Sequence, residues 1–514
     1  MLQAGTSGEA EVDFDRFRLR NFLEGLAQIG ELENHPHPVD LGDVARLLEG
    51  NPKACLFQRA GGETALAGNV LGSRTRVAHA FGVSPRDILP EILRRLRNRP
   101  QIFEVAGDIA PVQQVVLMGE DADLTQLPAH LQHGRDGGLY ISAAMDFALD
   151  KQSGWTNVGL RRLMVRGKHE TGIDLLAPSD LRNILLATLA RGEHLPLAIV
   201  VGAHPIDYLA ATMRLPIDEL GLIASLRDAP LPVVKCVTND IRVPADAEYV
   251  IEGYLDSAGY IEPEGPYGEF LGYYGGVKTN PIFRVTAITR RRDAVFQTLT
   301  ISGRTMGMTD TAQLSALRTE VLAWRALETA VREPVAVYAP RATGGVYNLR
   351  IALRQRVPGE ARNAIAAAFG SQANVKNVFV VDPDIDIFSD EQMEWALGTR
   401  FQPHRDLVVS EGFRTLPLDP SLNGMRTGSK AGYDLTMPFG QTSLEATVPE
   451  PPAYQGQRFG SLREALAHGP KHFEDLMAAL GSKDGRDVTL AIEALRKQGA
   501  LTRDETDGRF SLKG

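Results

Sequence analysis

The chain has 514 residues and a formal net charge of −9; 43% of its residues are hydrophobic and 23% are charged. These values are typical of a globular protein with about three domains. The acidic balance argues against a nucleic-acid partner, and the absence of a signal-like start or a long apolar run argues against a membrane. We therefore expect a cytoplasmic protein.

The first dozen residues, through about Val12, are rich in Gly, Ser and Glu and are predicted to be disordered. From Phe14 the apolar spacing predicts a helix, and helices then mix with short strands in an N-terminal α/β domain at residues 13–114. Residues 115–305 contain short apolar runs bounded by Pro, Asn or Gly, which predict a β-rich domain.

Three polar motifs of the β-rich region could form a metal site. They are Thr-Asn-Val-Gly-Leu-Arg-Arg at 156–162, Pro-Ser-Asp at 178–180 and Asp-Glu at 218–219. Oxygen ligands of this kind suit Mg²⁺ or Mn²⁺, and Arg162 could bind a phosphate or carboxylate in bidentate fashion. The spacing is not diagnostic, and the same residues could be ordinary surface polar groups of a strand and loop.

Glu264 and Glu269 lie five positions apart in a segment that Gly-Pro and Tyr-Gly pairs favour as a turn. Glycine and proline stiffen the loop and allow a close approach to a ligand, so the segment could present two acids for acid/base chemistry. The alternative is a solvated surface turn, where acidic residues are common.

Cysteine is scarce in this chain. Only Cys55 and Cys236 occur, so we expect neither a disulfide framework nor a Cys-ligated metal. Cys236 lies in the segment VVKCV and is predicted to be a buried, unreactive strand residue.

Residues 309–448 are predicted to form a long linking helix, at about 310–330, and a second α/β domain. Within it, Lys430 lies among small residues, but the spacing of a nucleotide-hydrolysing phosphate loop is missing.

After a Pro-rich linker at 449–452, residues 455–514 show three amphipathic helices and a hairpin, an order similar to a small winged helix. Its charges nearly cancel, so we favour an oligomerisation or lid role over DNA binding.

Together these motifs resemble the UbiD family of reversible decarboxylases that use prenylated FMN. The segments TNVGLRR, VVKCVTNDIRVPADAEYVIEGY, EGPYGEFLGYY, VVDPDIDIF and GSKAGYD occur in the family's order, between about Phe14 and Pro438. The resemblance implies an α/β (α+β) fold with a central split β-barrel that binds the flavin. It also implies Mn²⁺ or Mg²⁺, often with K⁺, a homodimer or homohexamer, and a flavin prenyltransferase that supplies the cofactor.

By this resemblance Arg162 matches the arginine between flavin and substrate carboxylate, and Glu264 and Glu269 match the two catalytic acids. Glu264 is expected to pair with Arg162, while Glu269 delivers the proton that replaces CO₂. Burial and the Glu264 charge should raise the pKa of Glu269. Lys430 matches the lysine that reaches the flavin phosphate.

Asn157 and Glu219 match the family's metal ligands. The chain departs from the family where some members have a metal-binding histidine, so Asp180 becomes the candidate third ligand and Ser179 the residue that faces the cofactor. The implied cofactor-binding set is Asn157, Val158, Gly159, Leu160, Arg161, Arg162, Ser179, Glu219 and Lys430.

The implied reaction is non-oxidative decarboxylation of an aromatic, heteroaromatic or α,β-unsaturated acid, free or as a CoA thioester, through a covalent adduct with prenylated FMN. Four apolar residues are candidates for the pocket wall and favour a flat ring: Phe270, Ile301, Met306 and Met308. Two alternatives stay open. One is a flavoprotein of the same fold with redox or transfer chemistry, and the other is a non-catalytic scaffold that uses the C-terminal module.

Overall fold

The computed structural model describes residues 12–440 and 448–513, which belong to two compact units, Met1–Leu435 and Thr436–Gly514. The predicted N-terminal disorder falls almost entirely outside the described residues. Across the described ranges, no helix combines the length and the apolar character needed to cross a bilayer.

The first part of the larger unit alternates helices and short strands. In chain order these are α1 (Leu19–Gln28), β1 (Leu32–His35), α2 (Leu41–Leu48), β2 (Ala54–Phe57), β3 (Ala65–Gly68), α3 (Arg74–Phe81), α4 (Ile88–Arg95) and β4 (Ile102–Glu104). Helix α1 buries Leu19, Phe22, Leu23 and Leu26, the i, i+3, i+4, i+7 stripe of an amphipathic helix. The helix predicted from Phe14 therefore forms, with its first turn at Leu19.

The central part is mostly strands. Its elements are β5 (Val115–Met118), β6 (Tyr140–Leu149), β7 (Thr156–Val165), β8 (Glu170–Ile173), α5 (Asp180–Leu189), β9 (Leu195–Val201), α6 (Pro205–Thr212), α7 (Glu219–Arg227), β10 (Leu231–Lys235), β11 (Arg242–Pro244), β12 (Tyr249–Leu255), β13 (Glu262–Glu264), β14 (Tyr267–Gly268), β15 (Tyr274–Gly275), β16 (Lys278–Asn280), β17 (Ile282–Arg290) and β18 (Val295–Thr298).

Six of these strands close into a barrel. They run in the order β12-β9-β6-β7-β8-β17, and the pairing of β17 with β12 joins the ends. Strand β5 extends from β17 outside this ring, while β18 pairs with β3 and completes the sheet β1-β2-β3-β18. Closure removes the free edges that an open sheet would expose. The mixed α/β fold with a central barrel agrees with the predicted fold class.

The last part of the larger unit starts with one long helix, where the sequence predicted it. The elements are α8 (Asp310–Leu327), β19 (Pro334–Tyr338), β20 (Asn348–Leu353), α9 (Glu360–Gly370), β21 (Asn377–Val381), α10 (Asp390–Arg400), α11 (Pro403–Asp406), β22 (Leu407–Arg414) and β23 (Thr427–Asp434). The strands form one sheet in the order β19-β20-β21-β23-β22. Helix α9 connects the parallel strands β20 and β21, as a βαβ crossover requires.

The smaller unit has its own core. Its elements are α12 (Leu462–Ala467), α13 (Phe473–Leu480), α14 (Arg486–Lys497), β24 (Leu501–Arg503) and β25 (Phe510–Leu512). Leu466, Leu476 and Val488 are buried together, one from each helix. Three helices followed by a hairpin is the order that the sequence predicted. The domain boundaries drawn from the sequence remain predictions.

Candidate active site

Arg162, on barrel strand β7, contacts both predicted catalytic acids. Its Nε and Nη2 donate to Oε1 and Oε2 of Glu264, each at 3.1 Å, and its Nη1 donates to Oε1 of Glu269 at 2.8 Å. The side chains are 11%, 0% and 8% exposed for Arg162, Glu264 and Glu269. The fork-to-fork contact with Glu264 is the bidentate geometry that arginine favours with carboxylates.

Further donors surround Glu264. The hydroxyl of Tyr140 donates to Oε1 at 3.0 Å, and the amide of Asn280 donates to Oε2 at 3.3 Å. The ring of Tyr267 lies 4.7 Å from the Arg162 guanidinium carbon, close enough for a cation–π contact. Every polar partner of Glu264 is a donor, so this carboxylate serves as an acceptor that fixes the orientation of Arg162.

Glu269 has a different environment. Lys278 Nζ lies 3.8 Å from its Oε1, and Asp174 Oδ2 contacts both Lys278 Nζ at 3.0 Å and Arg162 Nη2 at 3.1 Å. Burial is the main cause that raises the pKa of Glu269, and the charges of Arg162 and Lys278 partly oppose it. A Cβ at residue 275 would lie 2.5 Å from Glu269 Oε1, so any side chain there would displace the Glu269 carboxylate. The acid is buried, cation-bound and tightly enclosed.

Two short strand pairs build this arrangement. In the β13–β16 pair Glu264 lies opposite Lys278 and Glu262 opposite Asn280, and in the β14–β15 pair Gly268 lies opposite Tyr274. Sequence reasoning missed Tyr140, Asp174, Lys278 and Asn280. The polar strand of residues 278–280, which begins nine positions after Glu269, is the signal that a hairpin search could have used for Lys278 and Asn280.

Arg162 and Glu269 line a cavity of about 240 Å³, whereas Glu264 does not. Of the predicted site residues, those that line it are Asn157, Val158, Gly159, Leu160, Arg161, Arg162, Ser179, Asp180, Glu219 and Glu269. Phe270 and Ile301 also line it, whereas Met306 and Met308 do not. The cavity therefore joins the candidate acid and arginine to the candidate metal ligands.

Oxygen atoms converge at the end of the cavity where the predicted metal ligands lie. Glu219 Oε2 accepts bonds from Asn157 Nδ2 at 2.7 Å and from Val158 N at 2.5 Å, while Asn157 Oδ1 is buried without a partner. Burial raises the pKa of Glu219 to about 7, and the charges of Asp146 and Asp180 add to it. An unpaired amide oxygen beside mutually repelling carboxylates fits a hard divalent cation.

Asp180 is the first residue of α5, and the Ser179 hydroxyl caps that helix by accepting from Arg182 N at 3.3 Å. Unlike Glu219, Asp180 is exposed. It nevertheless lines the same cavity as Asn157 and Glu219.

Cations gather at another part of the site. Arg214 and Arg318 line the cavity, and Arg318 Nε is buried without a partner. Burial lowers the pKa of Arg318 to about 10, with further lowering by Arg214 and Arg414. Burial and then Arg414 lower the pKa of Lys430 to about 8. These four side chains form one positive region, which fits an anionic group such as a phosphate.

Lys430 is not among the residues that line the cavity. It lies on β23, where its Nζ donates to the carbonyl oxygen of Phe369 at 2.8 Å and lies 5.1 Å from the centre of the Phe413 ring. The sequence pattern did not indicate Arg214 or Arg318, because isolated arginines in a helical or loop segment carry no spacing signal.

Neither cysteine is part of this site. Cys236 follows β10 directly and is buried, and burial raises the pKa of its thiol well above the usual value. The structure thus agrees with the prediction that Cys236 is a buried residue at a strand.

Three family models match the chain in succession. They describe the N-terminal domain, the Rift-related domain and the C-terminal domain of 3-octaprenyl-4-hydroxybenzoate carboxy-lyase, at residues 24–96, 104–305 and 312–435. Fold, site and these matches define a carboxy-lyase. The chain belongs to the UbiD family of decarboxylases.

Several relatives are similar over most of their length. The anhydromevalonate phosphate decarboxylase of Methanosarcina mazei is 29% identical, with 81% of this chain and 95% of that protein aligned. HmfF from Pelotomaculum thermopropionicum in complex with FMN is 34% identical with a TM-score of 0.79, covering 84% of this chain and 97% of its own.

An evolved dimeric form of HmfF in complex with prenylated FMN is 32% identical with a TM-score of 0.75, at 84% and 97% coverage. The vanillic acid decarboxylase of Sedimentibacter hydroxybenzoicus in open form is 30% identical with a TM-score of 0.77, at 85% and 96% coverage. The family matches end at residue 435, so they do not include the smaller unit.

Proposed function

We propose that this enzyme catalyses the reversible, non-oxidative decarboxylation of an aromatic, heteroaromatic or α,β-unsaturated carboxylic acid with prenylated FMN as cofactor. The observation that carries the proposal is Arg162, which lines the cavity and holds both Glu264 and Glu269. Arg162 also contacts Asp174, so a substrate carboxylate would bind the guanidinium by taking over the donor that now contacts Glu269.

The cavity residues fit the cofactor and its metal. Asn157, Glu219 and Asp180 would hold Mn²⁺ or Mg²⁺ through their oxygens, because hard ligands suit these ions. The positive region of Arg214, Arg318, Arg414 and Lys430 would balance the flavin phosphate. When bound, prenylated FMN supplies the electron sink that accepts the electron pair left by the departing CO₂.

The remaining cofactor contacts are proposed for the segment Val158 to Arg161 and for Ser179, all at the cavity wall. Phe270 and Ile301 also line the cavity, and their apolar side chains favour an unsaturated or aromatic substrate over a sugar. Whether this acid is free or a CoA thioester, the product is CO₂.

Proton transfer is assigned to Glu269. As the bond to the carboxyl carbon breaks and CO₂ leaves, the O–H of Glu269 gives its proton to the carbon that carried the carboxyl group. Glu269 must then be protonated, and burial favours that form. Solvent later returns a proton to Glu269, so atoms and charges balance over one turnover.

Substrate binding should itself promote this protonation. Arg162 Nη1 now donates to Glu269 Oε1, and a substrate carboxylate that takes over this donor removes the strongest cationic partner of Glu269. Glu264 keeps its two contacts with Arg162 and holds the guanidinium in place. Arg162 would thereby bind the substrate carboxylate and, by giving up its contact with Glu269, favour the protonated form of Glu269.

We further propose a homodimer or homohexamer that receives its cofactor from a flavin prenyltransferase, with K⁺ as an additional cation. The support is the family itself and the prenylated FMN in a neighbour of known structure.

The test is to produce the chain together with a flavin prenyltransferase, identify the released flavin by denaturing mass spectrometry, and screen aromatic and α,β-unsaturated acids for CO₂ release without an electron acceptor. We expect prenylated FMN and turnover that Glu269→Gln lowers by about 10²- to 10⁴-fold, the usual contribution of a general acid. Glu391→Gln, at an exposed helix position, is the matched control.

Unmodified FMN together with turnover that needs an electron acceptor would favour redox chemistry instead. Undiminished turnover in Glu269→Gln would remove Glu269 from the mechanism.

A further inference from the structure

A second cluster of ligand atoms lies in the N-terminal sheet, formed by Glu33, His35 and Cys55. Glu33 and His35 are two positions apart on β1, so their side chains share one face of the strand. Cys55 lies directly opposite Glu33 on the parallel neighbour β2. Strand register alone therefore places a carboxylate, an imidazole and a thiol together.

The three ligand atoms lie within 4.8 Å of one another. His35 Nε2 is 3.0 Å from Glu33 Oε1, yet this buried nitrogen makes no hydrogen bond of acceptable geometry. The amide of Asn51 donates both to Glu33 Oε2 at 3.0 Å and to Cys55 Sγ at 3.2 Å. One side chain thus orients two of the three ligand groups, as outer partners of metal ligands do.

We propose that Glu33, His35 and Cys55 bind a divalent cation of the zinc class, with solvent as the fourth ligand. Thiolate, imidazole and carboxylate are the donors that Zn²⁺ accepts in tetrahedral sites, at about 2.0 to 2.3 Å. On binding, the Cys55 thiol would release its proton to solvent, and the resulting thiolate and the Glu33 carboxylate would balance the two charges of the ion. This site requires no flavin and is independent of the proposed decarboxylation.

The donor set separates this site from the one in the barrel cavity. A sulfur ligand favours zinc-class ions over Mn²⁺ and Mg²⁺, which prefer oxygen ligands alone. Scarcity of cysteine predicted no Cys-ligated metal, but that argument applies to sites made of several cysteines. A site that combines one thiolate with an imidazole and a carboxylate needs only one cysteine.

An ion could reach the cluster from solvent and be bound there by all three side chains. Cys55 is fully buried, whereas the side chains of His35 and Glu33 are 20% and 46% exposed, so an ion can enter from the Glu33 side. Because the Glu33 side chain is exposed, it could adjust to an ion without disturbing the core. The ion would tie β1, at the edge of the sheet, to β2.

The test uses the reduced, full-length protein after removal of metals with a chelator, titrated anaerobically with Co²⁺. We expect a thiolate-to-cobalt charge-transfer absorption that saturates at one ion per chain and is bleached by Zn²⁺. Cys55→Ser should abolish the band and Cys236→Ser, the matched control, should retain it. Asn51→Ala should weaken Co²⁺ binding by about 10- to 100-fold.

Co²⁺ binding without a thiolate band, or a band that survives in Cys55→Ser, would overturn the proposal. In that case Cys55 is a core residue beside a Glu33–His35 ion pair. If circular dichroism shows that Cys55→Ser is unfolded, His35→Phe serves instead, because it preserves ring stacking on Phe57, now at 4.6 Å between centroids. Unweakened binding in folded His35→Phe would equally reject the site.

Discussion

Arg162 Nη1 donates a 2.8 Å hydrogen bond to Glu269 Oε1. The proposed proton donor is therefore bound by the same cation that is proposed to bind the substrate. A carboxylate that enters the cavity competes with Glu269 for this donor, and the loss of that contact favours the protonated acid. Binding of the substrate carboxylate would therefore be coupled to protonation of Glu269.

Replacement of Arg162 by lysine should distinguish the effect of its positive charge from the effect of its bidentate contact with Glu264. Arg162→Lys keeps a cation but cannot contact Glu264 with two parallel donors while also reaching Glu269. We expect kcat/KM to fall about 10- to 100-fold, since a hydrogen bond to a charged group contributes about 1.5 to 3 kcal/mol. The measurement is steady-state decarboxylation with the flavin content matched between proteins.

Arg242→Lys, at a partly exposed pair with Glu104, is the control for a conservative arginine change. If both variants retain wild-type kcat/KM, the bidentate role of Arg162 is refuted.

Lys278 should tune the pH dependence of turnover. Its charge lowers the pKa of Glu269, so Lys278→Met raises that pKa further. As the proposed proton donor, Glu269 would act in its protonated form, so activity should fall as pH rises through its pKa. In Lys278→Met the alkaline fall of kcat should therefore move to higher pH, while Lys278→Arg should restore the wild-type profile.

The pH profile of kcat measures this shift. Lys235→Met, which removes a half-exposed lysine paired with Asp240, should leave the profile unchanged. A shift to lower pH in Lys278→Met would show that another group limits the reaction on the alkaline side.

Asp180 should contribute to binding of Mn²⁺. Asn157 and Glu219 offer only two ligand side chains, and Asp180 lines the same cavity. We expect Asp180→Asn to weaken Mn²⁺ binding about tenfold or more, and Glu219→Gln to weaken it at least as much. Electron paramagnetic resonance of free Mn²⁺ during a titration measures both.

Asp43→Asn, on an exposed position of α2, is the control for the loss of a carboxylate. Wild-type Mn²⁺ affinity in Asp180→Asn would exclude Asp180 as the third ligand.

The smaller unit should be removable without loss of the larger fold. It has a separate core of its own, and the family matches end at residue 435. Deletion of the residues after Pro452 should leave the main thermal transition in place but lower the oligomeric order or the turnover number. Light scattering and decarboxylation assays test the two roles, and unchanged values in both would reject an oligomerisation or lid function.

The sequence predicted much of the candidate site because its motifs are local. Asn157 and Arg162 share one strand, and Glu264 and Glu269 share one turn, so their relation follows from spacing within a single segment. The helix at 310–330 was also predictable, since its apolar pattern spans several turns.

The tertiary structure alone determined which distant groups meet. Lys278 reaches Glu269 through the register of β13 with β16, and Asp174 joins them from the end of β8. Barrel closure depends on packing over the whole sheet, and the polar pattern at residues 278–280 can indicate a strand pair but not that Lys278 lies beside Glu269. The cluster of Glu33, His35 and Cys55 was not predictable from the sequence for the same reason. Their residue types were visible in the chain, but only the parallel pairing of β1 with β2 brings them to one place.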